Sequence, residues 1–469
     1  MAFPEGDLDT VAAETPRPER AWADPLLWTA MLAGFVLRAL PLVLWGTSGC
    51  IRDECSYRTL ARQIVRGHGL KPVEGWLWAP GYPYLLAFFE WIDQAKRLKR
   101  LQVGLGVAMV LLVYLVTDRV AGRRAARIAA FLVALHPTLA FFAGTLWTET
   151  IYGFLLLAAA LAMLWARGGS WVRAVLLGAL LGACVLFRGV ATYMTPIFLL
   201  AVLWPVSEAW AAAWRARWRH LAAVAAVLVL VVAPWSIHAS RTYGGFVISD
   251  ASLGQVMYVS NNDFPVMTYD YGDGILSKRM ADTWYDKGRP HCDQSLPAAA
   301  WNRCEVAHGL AWIRAHPGDF LRRIPVRLAQ FFDPNTFLTR RVRLGKWYAL
   351  PWWIEELIVL WAAAVSIVVV LGGAIGTWAR ARGPYGVLVV GITLYYLAVV
   401  SALFGLSRFR APLEPLWIVF LASVLADPRG TWALLRASRT RAVGAVASVL
   451  VLLPLLAWYL PSGFPAVWR

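Results

Sequence analysis

Two neighbouring acids, Asp53 and Glu54, open the stretch "DECSYRTLARQIVRGHGL" directly after a long apolar run. Other charges stand at comparable apolar boundaries: Glu149 in "GTLWTETIYG", Arg188 in "VLFRGV", and Arg408 and Arg410 in "GLSRFRAP". Arginines gathered at one depth suit an anionic ligand, because each guanidinium offers several charge-assisted donors. Every one of these residues also has a plainer reading. Asp53 fits a helix N-cap, and a lone boundary arginine fits a lipid-headgroup anchor.

The element that carries the acids is legible. After Asp53, the positions Tyr57, Leu60, Ala61, Ile64 and Val65 follow a helical stripe, and Gly67 and Gly69 suit its end. Arg58, Arg62 and Arg66 form a polar stripe, so the spacing predicts an amphipathic helix on the membrane surface, with arginines toward lipid phosphates. A second half-apolar segment, 81–92, is too short for about 30 Å of hydrocarbon and is expected to lie at the interface.

Composition sets the larger frame. Of 469 residues, 59% are hydrophobic and only 16% charged, and long apolar runs without period-2 alternation recur to the C-terminal region. The expected class is an all-α polytopic membrane protein. The net charge of +17 reads as cytoplasmic loops and contacts with membrane lipids rather than nucleic acid. Basic loops near 119–124, 214–220, 379–383 and 436–441 then share the cytoplasmic side. About eleven spans follow, roughly 26–45, 101–118, 125–147, 149–166, 172–188, 190–206, 220–238, 352–378, 385–406, 412–426 and 442–460.

This map divides the chain into a cytoplasmic tail (1–25), a transmembrane module (26–238) with an outer loop at 46–100, an outer subdomain (239–350) and a second transmembrane module (351–469). Asp53 and Glu54 fall on the outer face. Cys50, Cys55, Cys292 and Cys304 do so too, and nearness in sequence favours the pairs Cys50–Cys55 and Cys292–Cys304. The basic run from Arg322 to Lys346 reads as a headgroup-facing helix or as a collector of anionic substrate. Intramembrane charges are few: Arg38, Glu355 and Glu356. The rival class is a polyprenyl-linked lipid or sugar transporter or flippase, whose path such charges would mark, and their scarcity counts against it.

The ordered motifs "DECSY", "APGYP", "ALHPTLAFFAGTLWTE", "LFRGVATYMTPIFLL", "RTYGGFV" and "SRFRAPLEPLWIVFLA" resemble the polyprenyl-phosphate-sugar-dependent glycosyltransferases of the membrane-embedded C-type fold. The similar groups are bacterial relatives of protein O-mannosyltransferases and of the lipid A aminoarabinose transferase. Ser56 and "APGYP" depart from the aminoarabinose enzymes, which have Arg before the Tyr and Lys-Pro-Pro.

The resemblance implies an inverting transferase of a bacterial inner or cell membrane, with its site on the periplasmic or extracellular face. It would move a sugar from a polyprenyl-monophosphate carrier to a hydroxyl acceptor: lipid, glycan or protein. Asp53 would be the general base and Glu54 its support. Arg408 and Arg410, with Arg188 and Arg58, would bind the carrier phosphate. Glu149, Tyr57, Tyr82, His238 and Arg241 would line the cavity. A divalent metal on Asp53 or Glu54 fits the chemistry, but the sequence carries no decisive ligand cluster, so the cofactor stays open.

Overall fold

The structure, a computed structural model, describes residues 21–45, 53–72, 77–91, 95–263, 292–293, 295–343 and 350–458. Among them there is no strand, only an isolated antiparallel bridge between Leu77 and Ala251. The helices run α1 (Pro25–Trp45), α2 (Asp53–Val65), α3 (Gly81–Trp91), α4 (Ala95–Ala121), α5 (Arg123–Ala134), α6 (Pro137–Ala143) and α7 (Glu149–Ala166). They continue with α8 (Trp171–Phe187), a 3-10 turn (Gly189–Met194), α9 (Thr195–Leu203), α10 (Trp210–Thr242), α11 (Leu253–Ser260), α12 (Ala298–Ala315) and α13 (Pro317–Phe332). The last are α14 (Phe337–Arg343), α15 (Trp352–Arg380), α16 (Gly383–Ala402), α17 (Ser407–Arg410), α18 (Glu414–Ala426), α19 (Pro428–Arg436) and α20 (Arg439–Ala457).

Among the described residues, seven helices are long and apolar enough to cross a membrane: α1, α4, α7, α10, α15, α16 and α20. The chain is an integral membrane protein. Two bent pairs, α5 with α6 (56°) and α18 with α19 (98°), bring the number to nine if each is one span. The described residues thus carry seven to nine such spans, against the expected number of about eleven. With 17 residues, α8 reaches only about 25 Å, short of the hydrocarbon thickness. The run Gly189–Leu203 is shorter still.

Small residues set the helix spacing. Gly178 and Gly182, one turn apart on α8, face α10 so closely that a Cβ on Gly178 would meet the Val224 carbonyl at 2.6 Å. Small residues at this spacing let backbones touch where lipid gives no hydrophobic drive to association. The centre of the bundle is α18, whose residues are nearly all buried.

The break between α5 and α6 frees carbonyls inside the apolar interior, and Arg38 of α1 supplies donors to them. Its guanidinium donates to the carbonyls of Val133 (2.9 Å), Ala134 (2.9 Å) and Gly34 (3.0 Å), and the side chain is wholly buried. Gly106 makes the room, since a Cβ there would lie 2.7 Å from Arg38 Nε. His136 caps the next helix by accepting from the Leu139 amide at 3.4 Å, with Pro137 following. Non-helical backbone survives at membrane depth only when its polar groups are satisfied in this way. Arg38→Met should cost about 3 kcal/mol or more, because charged donors to buried carbonyls are lost together. Thermal unfolding in detergent reads this as a large fall in melting temperature.

The loop after α1 and the segment after α10 meet at one end of the bundle. Tyr243 donates its hydroxyl to the Leu70 carbonyl, and the Ala251 amide donates to Leu77 at 3.0 Å. Leu60, Leu70, Leu77, Ala239, Val247 and Ala299 share one apolar cluster there. The Cys292–Cys304 disulfide is present, as local pairing predicts. The other expected pair rests on Cys50, which lies outside the described residues, as does Lys346.

Candidate active site

The acids stand in the first turn of α2, where the positive end of the helix dipole favours them. Asp53 lies within the described helix rather than at the capping position before it. The helix ends near Gly67 and Gly69, both with left-handed φ (79° and 69°). Its apolar stripe does not lie on lipid, however. Tyr57 and Ala61 pack on Tyr82, Leu86 and Ala87 of α3, while Leu60 joins the cluster that closes this end of the bundle. Of the polar stripe, Arg58 reaches Glu90 of α3 at 3.4 Å, while Arg62 and Arg66 are exposed. An apolar stripe needs cover, and here protein supplies it.

Four of the singled-out charges come together from four separate places. Arg408 Nη1 donates to Asp53 Oδ2 at 2.5 Å. Its Nε lies 3.8 Å from Glu149 Oε1, and Arg188 Nη2 lies 3.4 Å from that same oxygen. The helices orient these groups favourably. Glu149 is in the first turn of α7 and Arg188 follows the last turn of α8, so each charge opposes the dipole end it sits on.

Aromatic walls hold the cations. Arg408 lies over Trp147 (5.2 Å), Phe409 (5.5 Å) and Phe337 (5.8 Å), and Arg188 over Tyr152 and Phe409 (both 5.5 Å). Burial alone would lower the Arg408 pKa, but Asp53 and Glu149 raise it above the ordinary range, so the guanidinium stays charged. Burial likewise keeps the Tyr57 hydroxyl well above its usual pKa, and therefore neutral.

Inside this cluster Arg408 Nε, Arg188 Nη1 and Glu149 Oε2 are buried without a hydrogen-bond partner. Buried polar atoms are ordinarily satisfied, so unused donors and an acceptor at one place are what a ligand-binding site leaves open.

Arg410 belongs to a different network. It is fully buried and donates to Glu414 Oε1 at 2.7 Å, with the carbonyls of Phe331 (3.0 Å) and Asp333 (3.4 Å) as further acceptors. His136 Nε2 lies 3.2 Å from the other Glu414 oxygen. This group ties α17 and α18 to the helix break and to the loop after α13.

The remaining expected site residues are placed as follows. Glu54 is buried and paired with Lys99 at 3.1 Å. Tyr82 donates to Gln102 Oε1 at 2.9 Å, and its ring lies 4.7 Å from that of Tyr57. His238 and Arg241 are exposed near the end of α10, His238 beside Trp235, and neither joins the ion pairs around Asp53. Sequence reasoning missed Lys99, Trp147, Phe337, Phe409, His136 and Glu414. The signals were present: Glu414 stands four residues after Arg410, and Lys99 lies in "KRLKR".

Basic residues after Arg322 also have protein partners. Arg327 is fully buried and donates to the Ser401 and Ser260 carbonyls, and Arg343 pairs with Glu356. Asp333, 3.7 Å from Arg340, is pushed up to about 7 by burial. In the unfolded chain it would ionise near 3.8. Between those values the native state keeps a proton that the unfolded state has lost, so this group lowers stability as pH rises. Asp333→Asn should therefore raise the melting temperature at pH 8 and leave it nearly unchanged at pH 4.

A divalent metal is not favoured by these carboxylates as they stand. Asp53 and Glu149 share Arg408, and Glu54 faces Lys99, so each already has a cation beside it. Among the described residues, one group has three ligand atoms close enough for an ion, Cys292, Cys304 and His308, and its two sulfurs are joined to each other.

No protein-family model and no curated protein matches the chain. Solved structures do. The Archaeoglobus fulgidus oligosaccharyltransferase in its apo form is 17% identical, with a TM-score of 0.50 over 95% of this chain and 56% of that one. The same enzyme tethered to an acceptor peptide containing the NVT sequon matches at 17% and 0.50, over 95% and 55%. The chain shares its fold with this archaeal enzyme. It spans about half the length of the archaeal enzyme. ArnT from Cupriavidus metallidurans bound to undecaprenyl phosphate is 14% identical, with a TM-score of 0.37 over 87% of this chain and 78% of that one. Within this fold, the Asp53 cluster stands where α2, α7, the end of α8 and α17 meet.

Proposed function

We propose that this chain is an integral-membrane glycosyltransferase that moves a sugar from a polyprenyl-monophosphate carrier to a hydroxyl acceptor with inversion. The observation that carries the reading is the Asp53–Arg408 contact, set among buried donors on Arg408 and Arg188 that have no partner. Asp53 accepts the proton of the acceptor hydroxyl while its oxygen bonds to the anomeric carbon. The bond from that carbon to the phosphate oxygen breaks, and polyprenyl monophosphate leaves with the electron pair. Arg408 and Arg188 stabilise the charge that builds on it. A bound donor phosphate competes with Asp53 for Arg408, which frees the carboxylate as the base appears beside the reacting carbon.

Glu149 holds the two arginines through one of its oxygens, at 3.8 and 3.4 Å. Glu54 and Arg410 support the fold of the site from outside it. A transporter path would be marked by intramembrane charges, and of the few here Arg38 caps a helix break and Glu356 pairs with Arg343.

The test is incubation of the purified protein with a radiolabelled polyprenyl-phosphate sugar pool and candidate lipid, glycan and protein acceptors. The expected result is transfer of label to an acceptor with release of polyprenyl monophosphate. Movement of intact lipid across a vesicle membrane without transfer would overturn the reading.

A further inference from the structure

A groove runs along the bilayer-facing side of α5, between α1 and α15. Leu26, Arg127, Phe131, Leu135, Trp361 and Val365 line it, and it encloses about 500 Å³. Arg127 is the one charged group among the described lining residues. Leu26, Leu135 and Trp361 are exposed, so apolar side chains open to the surface along the whole groove. From Arg127 to Leu135 the groove is about 12 Å deep at helical rise.

Its charged mouth is built. Asp24, fully buried, accepts from Arg127 (2.8 Å), Arg123 (3.2 Å) and the Tyr114 hydroxyl (2.7 Å). Asp24 thus faces two guanidiniums, Asp118 also acts on Arg123, and Arg124 beside them is exposed within the field of Asp427. Both paired arginines keep about two fifths of their side chains open, Arg123 39% and Arg127 40%. Arg127 thus stands, 40% of its side chain open, at the rim of an apolar slot.

The depth of this mouth excludes the proposed donor. Asp24 precedes α1 and Asp53 follows it, and the 21 residues of α1 span about 30 Å. Arg127 is bound to Asp24, so the mouth lies at the opposite membrane face from the Arg408 cluster. A carrier whose phosphate sits beside Asp53 cannot place it at Arg127. What fits is a lipid of the other leaflet, with its phosphate on the arginines and an acyl chain in the slot.

We propose that this groove binds an anionic phospholipid of the leaflet opposite Asp53, one acyl chain along Phe131, Leu135 and Trp361 and the phosphate at Arg127. One basic group near an anionic lipid surface contributes about 1 kcal/mol, roughly a fivefold preference over a zwitterionic lipid with the same tails.

The experiment uses the full chain in detergent micelles, with phosphatidylglycerol carrying a photoreactive group in one acyl chain. Phosphatidylcholine with the same chain is the comparison, and cross-linked peptides are mapped by mass spectrometry. Labelling of residues 128–135 and 358–365 should be about fivefold stronger with phosphatidylglycerol. Arg127→Gln should erase the preference, and Arg127→Lys should retain it. Because Arg127→Gln also loosens the Asp24 cluster, Leu135→Trp provides a variant that leaves this cluster intact and should reduce labelling by both lipids. Equal labelling by the two lipids in the wild type would overturn the proposal. So would a preference that survives Arg127→Gln, or polyprenyl phosphate displacing the label more effectively than unlabelled phosphatidylglycerol.

Discussion

Asp53→Asn should cut sugar transfer by roughly 10²- to 10⁴-fold, the range expected when a general base is lost, with little effect on the fold. The substitution keeps size and shape and can still accept one hydrogen bond from Arg408. It removes the negative charge that would take the acceptor's proton. Asp53 is partly open, with 27% of its side chain accessible, so its structural contribution is modest. Donor binding should hold or tighten, because Arg408 no longer divides its charge between Asp53 and phosphate. Glu54→Gln is the contrast. Glu54 is buried against Lys99, so its loss should appear as a lower melting temperature before any change in the chemical step. A folded Asp53→Asn protein with near-normal turnover would remove Asp53 from the mechanism.

Why the sequence reached some of this and not the rest follows from what each pattern encodes. The stripe after Asp53 states that one face of α2 is covered, and Tyr57 and Leu60 are buried accordingly. It does not state by what. Lipid and protein are both apolar covers, and the choice fell to α3, a segment with no stripe clear enough to announce the pairing. The Gly67 and Gly69 signals set the helix end because left-handed backbone has a local cause.

Convergence of Asp53, Glu149, Arg188 and Arg408 was legible as a common depth. The contacts themselves depend on α17, four residues long, which no periodicity predicts. The α5–α6 break did leave a mark, the His136-Pro137 pair inside an apolar run. An apolar count reads through it, since Arg38, which stabilises the break, lies about a hundred residues away in sequence. The same blindness hid the α8–α10 contact: Gly178 and Gly182 show their spacing, but their partner is set by the bundle.

The pair Arg408 and Arg410 looks like one basic motif in sequence and is two devices in the structure. Residues two apart on a helix point about 200° from each other, so they cannot serve the same ligand. Arg408 faces Asp53 and Glu149 with unused donor capacity, and 16% of its side chain is open. Arg410 is fully buried and bound to Glu414 and two carbonyls, although its Nη2 also lacks a hydrogen-bond partner. Substitution should therefore separate them. Arg408→Lys keeps a charge near Asp53 but loses the planar fork that reaches two oxygens at once. Donor affinity should fall about 10- to 100-fold, the worth of a charge-assisted phosphate contact, with the melting temperature nearly unchanged. Arg410→Met leaves Glu414 buried beside His136 without its stronger partner, and breaking a buried pair of this kind costs about 3–5 kcal/mol. Its signature is a large drop in melting temperature, with donor affinity preserved in whatever fraction remains folded. Titration of each purified variant with polyprenyl phosphate, beside detergent-phase unfolding, reads both quantities. Loss of affinity in a well-folded Arg410→Met protein, with Arg408→Lys binding normally, would move the phosphate site to the buried network and leave the Asp53–Arg408 contact as a brace.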